Sequence, residues 1–133
     1  MRIELTSIFV DDQQQALDFY TSRLGFQVTA DVPMGEHRWL TVRHGDSTEA
    51  TEISLEPKAH PAAATFTDAL LEDGIPFCVL AVDDLQREYD RLVGAGVTFT
   101  QPPTDVGPVI IAVFADGCGN LLQLAELKED AAV

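Results

Sequence analysis

Phe9-Val10-Asp11-Asp12-Gln13-Gln14 is answered 72 residues later by Ala81-Val82-Asp83-Asp84-Leu85-Gln86. In each copy an alternating apolar run ends at an Asp pair and an amphipathic stretch follows. A glycine then leads into a second β-rich run, Leu24-Gly25-Phe26-Gln27-Val28-Thr29 in the first copy and Ala95-Gly96-Val97-Thr98-Phe99-Thr100 in the second. Self-similarity at a fixed period marks repeated supersecondary units. A half of roughly 65 residues is marginal as an independent core, so the sequence reads as two related modules that pack together, with their seam as the natural place for a site.

Outward from the first Asp pair, the run Ile3 to Val10 carries apolar residues in both alternation phases, which predicts a strand covered on both faces. Asp11 with Gln14, and Asp83 with Gln86, have capping-box spacing. A helix is expected over residues 12–24, burying Ala16, Leu17, Tyr20 and Leu24 and leaving Gln13, Gln15, Asp18 and Arg23 in water. Strands near residues 26–31, 38–42 and 51–56, separated by Pro33, Gly35, Gly45 and Asp46, complete a βαβββ module over about residues 1–57. Residues 58–74 form the connection. There His60 leads into a helix with Pro61 near its first position and Gly74 as its terminator. The second module, about residues 75–127, repeats the order. A strand over 77–82 precedes a helix over 84–93 with the stripe Leu85, Tyr89, Leu92 and Val93, and strands follow near 97–101, 109–115 and 121–127. The acidic end Glu126-Leu127-Lys128-Glu129-Asp130 reads as fraying into a tail over 128–133.

A chain of 133 residues, 46% hydrophobic, supports one compact domain with a real core. Its longest apolar run, Pro108 to Ala115, is far short of the ~18–20 residues of a spanning helix. Met1-Arg2-Ile3-Glu4 does not open a signal peptide, so no membrane partner and a cytoplasmic location are expected. Cys78 and Cys118, 40 residues apart, read as free thiols, and Cys118 is expected to be exposed in a hairpin turn. A net charge of −14 with only eight Lys and Arg argues against nucleic acid. That charge either keeps the protein soluble or attracts cationic ligands. No phosphate-binding loop, dinucleotide fingerprint or serine-nucleophile elbow is present.

Phe19-Tyr20, Leu24-Gly25-Phe26 and Asp116-Gly117-Cys118-Gly119-Asn120, set in paired βαβββ modules, resemble the vicinal oxygen chelate superfamily. This is the group of glyoxalase I, extradiol dioxygenases, fosfomycin-modifying enzymes and bleomycin resistance proteins. The resemblance covers essentially the whole chain. It implies an α+β fold in which two tandem βαβββ modules form an open eight-stranded cup-like barrel around a cavity, within a single domain spanning residues 1–133, and it implies a homodimer. Metal-dependent members draw ligands from the first and last strand of each module. The corresponding positions are Leu5, Glu52, Phe77 and Gln123, where His, a carboxylate, His and Glu would be expected. Catalytic metal sites normally keep at least three protein ligands; hydrocarbon supplies none. No cofactor is therefore expected. The alternative is a divalent metal on Glu52 and Gln123 with a His brought in from His37, His44 or His60.

Side-chain alternation in the family register turns Leu5, Ser7 and Phe9, then Glu52, Ser54 and Glu56, toward the cavity. In the second module it turns Phe77, Val79 and Ala81, with Leu121, Gln123 and Ala125. Apolar walls with a few polar groups suit a small-molecule site. A buried Glu52 needs a partner, either a cationic ligand or Gln123 with a water. Trp39 is either a stacking surface for a planar or cationic ligand or a filler of the core or of a dimer interface. The expected function is a metal-free small-molecule-binding protein that sequesters an aromatic or cationic ligand, contacting it through Leu5, Ser7, Phe9, Trp39, Glu52, Ser54, Phe77, Val79 and Gln123. One alternative is a metal-dependent lyase or dioxygenase with an atypical ligand set and Glu52 as base. Another is a ligand-free structural homodimer. No catalytic residue is assigned.

Overall fold

The computed structural model describes residues 1–128; the remainder of the expected tail, residues 129–133, lies outside the described residues. In chain order the elements are β1 (Leu5–Val10), α1 (Gln13–Ser22), β2 (Phe26–Met34), β3 (His37–His44), β4 (Glu52–Pro57), α2 (Pro61–Glu72), β5 (Cys78–Ala81), α3 (Leu85–Gly94), β6 (Phe99–Asp105), β7 (Val109–Ala115) and β8 (Leu121–Leu127). They make two four-stranded sheets, ordered β1-β4-β3-β2 and β5-β8-β7-β6. In each, the first strand of the repeat lies parallel to the last and the other neighbours are antiparallel. The fold is α+β, as expected, and the two sheets are not joined by strand pairing into a closed barrel. Among the described residues no helix is long and apolar enough to cross a membrane.

Two compact units emerge. Residues 1–68 with 117–119 form the first, and residues 69–116 with 120–128 form the second. In the first, Ala16, Tyr20 and Leu24 of the α1 region are buried, as are Ile8, Val10, Leu40, Val42, Ile53 and Leu55 of β1, β3 and β4. Burial of each larger side chain contributes on the order of 1.5–3 kcal/mol. Tyr20 makes an edge contact with Phe26 at 6.0 Å, and Phe26 with His44 at 5.0 Å. In the second unit Leu85 and Leu92 of α3 are buried together with Ala112, Phe114, Leu122 and Leu124 of β7 and β8. Tyr89 meets Phe99 at 4.6 Å and Phe99 meets Phe114 at 5.4 Å. Val93, expected in this stripe, is instead exposed.

Both helix caps fall one residue later than the capping-box reading. Asp12 takes extended backbone with φ −146° and accepts the Gln15 N–H at 2.9 Å; Asp84 does the same for Arg87 at 3.1 Å. A cap must leave the helix while its side chain reaches the third helical N–H, and the second Asp of each pair is the one so placed. Asp11 is thereby free to pair with Lys58.

Gln13, expected in water, is buried. Its amide donates to Arg38 O at 2.7 Å and Leu55 O at 2.9 Å, and its oxygen accepts the Arg38 N–H at 3.0 Å. One amide thus pins α1 to β3 and β4. The corresponding joint of the second unit is built differently, with Glu126 accepting the Leu85 N–H at 2.7 Å. Residues 126–128 are consequently not frayed: Glu126 and Leu127 belong to β8, and the Lys128 N–H donates to Pro108 O.

Two strands run through prolines beyond their expected ends. β2 continues past Asp31 through Pro33, and β6 through Pro102 and Pro103 to Asp105. Both are outermost in their sheets, where proline's missing N–H costs no ladder bond. The end of α2 follows the reading: Gly74 adopts φ +71°, and the Ile75 N–H reaches back to Leu70 O at 2.8 Å.

Candidate functional site

Strand pairing in the first unit sets Leu5 opposite Glu52, Ser7 opposite Ser54 and Phe9 opposite Glu56. It sets Thr41 opposite Ser54, and Ala30 and Val32 opposite Thr41 and Trp39. The intervening residues Ile8, Ile53, Leu55, Leu40 and Val42 are the buried apolar ones. By alternation, Leu5, Ser7, Phe9, Trp39, Glu52 and Ser54 therefore share the opposite face of this sheet, which unites six of the sequence-predicted residues. Trp39 is 39% exposed, beside Val32 and Met34 at 51% and 61%, so it is not a core filler of its unit.

Two side chains on β3 complete this face. Arg43 Nη2 lies 3.4 Å from Glu52 Oε1, and its Nε donates to Ala50 O at 3.2 Å. Glu52 thus has a cationic partner from its own sheet, where the sequence suggested a ligand or Gln123. Thr41 Oγ1 lies 2.6 Å from Thr29 Oγ1, either donating. A register shift between Val28 and Ala30 breaks the alternation of β2 at Thr29. Arg43 follows Trp39 and Thr41 at period two, a signal present in the sequence; Thr29 depends on the bulge, which no pattern announces. Ser54 is 1% exposed and its Oγ has no hydrogen-bond partner among the described residues.

In the second unit Gln123 pairs with Val79 and Val113. Phe77 lies just before β5, and its N–H donates to Leu121 O at 2.7 Å, so Gln123 is not its cross-strand partner. Val79 is exposed, while Phe77 and Gln123 are half-buried. Ser7, Ser54 and Thr41 of the first unit correspond here to Val79, Gln123 and Val113.

The donor set does not fit a divalent ion. Leu5 and Phe77 carry no donor atom, Glu52 is ion-paired, and Gln123 is an amide. Two of the histidines are committed to local structure. His44 Nε2 is 3.1 Å from Leu24 O, and His60 Nδ1 accepts the Ala62 N–H at 3.0 Å. His37 lies at the start of β3, exposed. Among the described residues no group of three or more His, Cys, Asp or Glu is arranged to hold a metal.

Other sequence signals prove architectural. The Asp116 carboxylate is fully buried and accepts the Asn120 backbone N–H at 3.0 Å and side-chain amide at 3.1 Å, closing the turn before β8. Cys118, expected exposed, is buried, and its carbonyl accepts the Asp11 N–H at 2.9 Å. Burial, with a smaller contribution from the Asp116 charge, pushes the Cys78 thiol up to about 11, which keeps it protonated and unreactive at neutral pH. Arg38 binds Asp31 through two bonds of 3.0 and 2.7 Å and holds its carboxyl below the usual value. An open depression of about 270 Å³ on α1, lined by Gln15, Asp18, Phe19, Ser22 and Arg23, gathers none of the predicted residues.

The model of the Glyoxalase/Bleomycin resistance protein/Dioxygenase superfamily matches residues 2–124. The chain is 50% identical over 126 residues to the protein YurT of Bacillus subtilis (strain 168), covering 95% of this chain and 99% of the relative. Its fold is similar to the crystal structure of UcmS2, with TM-score 0.80 and 38% identity over 94% of this chain and 97% of the other. It is also similar to TnmS3, an antibiotic binding protein from Streptomyces sp. CB03234, with TM-score 0.78, 26% identity and coverage of 96% and 97%.

Proposed function

Because the chain belongs to the glyoxalase/bleomycin resistance protein/dioxygenase superfamily, we propose that it is a metal-free small-molecule-binding member that sequesters an aromatic or cationic compound. The observation that carries this reading is the chemistry at the family's metal-ligand positions. Leu5 and Phe77 offer no lone pair, and Glu52 is held by Arg43, so metal-dependent chemistry has no adequate donor set. Exposed Trp39, Val32 and Met34 beside buried hydroxyls give the mixture of apolar wall and sparse polar groups typical of small-molecule sites. On this reading Leu5, Ser7, Phe9, Trp39, Glu52 and Ser54 are the ligand-contacting residues of the first unit. The likeness to the antibiotic binding protein TnmS3 supports the same ligand class. A homodimer and a cytoplasmic location belong to the proposal.

The test begins with elemental analysis of protein purified without chelator or tag metal, followed by titration with Mn, Fe, Ni and Zn. The expected result is no stoichiometric uptake. Saturable metal lost in Glu52→Ala would overturn the reading and favour a lyase or dioxygenase. Calorimetric titration with bleomycin and with proflavine, a planar cation, then tests binding directly, with emission from Trp39, the only tryptophan, as a second readout. Sedimentation velocity reads the dimer.

A further inference from the structure

Away from α1, the first sheet presents three transverse rows of different chemistry. One holds Leu5, Glu52 and Arg43, with the charges of the last two opposed at 3.4 Å. Another holds Phe9 and Glu56 on β1 and β4, and Trp39 with Val32 on β3 and β2. Between them runs a row of hydroxyls: Ser7, Ser54, Thr41 and, through the bulge, Thr29. Thr41 and Thr29 satisfy one another. At the two ends of the row Ser7 is half-buried and Thr29 exposed, and Ser54 beside Ser7 is the buried hydroxyl left without a partner among the described residues. Buried polar groups are nearly always paired in a working state, so an unmet hydroxyl next to an exposed tryptophan points to a bond completed by something bound.

Spacing narrows what that is. Rows on one face are two residues apart along a strand, roughly 6.7 Å. A ring stacked on the Trp39 row, carrying an oxygen that hydrogen-bonds at about 2.8 Å, spans that separation. The charged row holds Glu52 already neutralised by Arg43, and Glu56 sits partly exposed at the end of β4, where water solvates it. Resting on the small-molecule-binding reading above, we infer that Ser54 Oγ is the hydrogen-bonding anchor of the site. The preferred ligand is a neutral aromatic compound bearing a ring hydroxyl or carbonyl oxygen, rather than a cation.

Three small probes separate the possibilities in calorimetric titrations of the full chain: 2-naphthol, naphthalene and N-methylquinolinium. The wild type is expected to bind 2-naphthol about tenfold more tightly than naphthalene, the worth of one good hydrogen bond. Ser54→Ala should abolish that preference while leaving naphthalene affinity and the circular dichroism spectrum unchanged. A 2-naphthol affinity that is the same in wild type and Ser54→Ala overturns the anchor. So does preferential binding of N-methylquinolinium, or failure of all three probes while bleomycin or proflavine binds; these outcomes leave the binding reading standing. Failure of every compound, bleomycin and proflavine included, overturns both.

Discussion

Ser54→Ala should make the free protein more stable. The serine side chain is 1% exposed and its oxygen has no partner, whereas in the unfolded chain the same hydroxyl is fully hydrated. An unmet buried hydroxyl costs about 1–3 kcal/mol. Removing it leaves a gap of one atom, which forfeits a few dispersion contacts of about 0.1–0.2 kcal/mol each. The balance is a gain of about 1 kcal/mol. For 133 residues, an unfolding entropy of about 2.1 cal/mol/K per residue converts this into a rise in Tm of about 3–4 °C. The comparator is Thr41→Val, directly across the ladder from Ser54, which deletes the 2.6 Å bond to Thr29 and should lower Tm by a similar amount. Scanning calorimetry of the two variants against wild type makes the measurement. A Tm for Ser54→Ala that falls by about 2 °C or more would refute the reasoning, because it would mean that the hydroxyl is bonded in the free protein, for instance to an ordered water.

Gln13→Ala strips three hydrogen bonds from one buried joint and should cost about 3 kcal/mol in urea unfolding; a loss under about 1 kcal/mol would show the joint to be solvated. Gly119→Ala should destabilise more than Gly117→Ala by about 1 kcal/mol. Both glycines have positive φ, but a Cβ at 119 would lie 2.6 Å from Lys58 Nζ and 2.8 Å from Asp11 Oδ2, while at 117 nothing lies within 4 Å. Equal losses in the two variants would discount the crowding. Asp31 has its folded pKa lowered from 3.8, first by its hydrogen bond to Arg38. Its contribution is therefore present above the unfolded value and lost as pH falls through the folded one. The Tm difference between wild type and Asp31→Asn should accordingly be greatest near neutrality and vanish in strong acid, which thermal melts from pH 7 down to about 2.5 can follow.

The repeat made most of the fold legible. β7 and β8 lie where the sequence placed them, at Val109–Ala115 and Leu121–Leu127, because Gly107 and Pro108 precede the first run and Gly117 and Gly119 part it from the second. β2 and β6 were under-read because proline stops a central strand but not an outermost one. Alternation in the register that the family resemblance implied put Leu5, Ser7 and Phe9 on the face shared with Glu52 and Ser54, since period two survives wherever a strand is regular. The partner of Glu52 was hidden because it depends on the antiparallel offset between β3 and β4, which nothing local dictates. Cys118 was misjudged for a related reason: its burial comes with a contact to Asp11, more than a hundred residues away in sequence.

The helix joints show how far the two repeats have parted. Gln13 and Leu85 occupy the same place in the repeat, yet the first unit secures its helix with the amide at that place, and the second with Glu126 from its last strand. A chain with Leu at position 13 would lose the bonds that the amide makes to Leu55 O and to the Arg38 N–H. A chain with Gln at position 85 would bring an amide to a place now occupied by apolar packing. The halves are therefore no longer exchangeable parts. A protein built by splicing one joint residue into the other half should be less stable than this one, and each half is free to change only along with its own fastening.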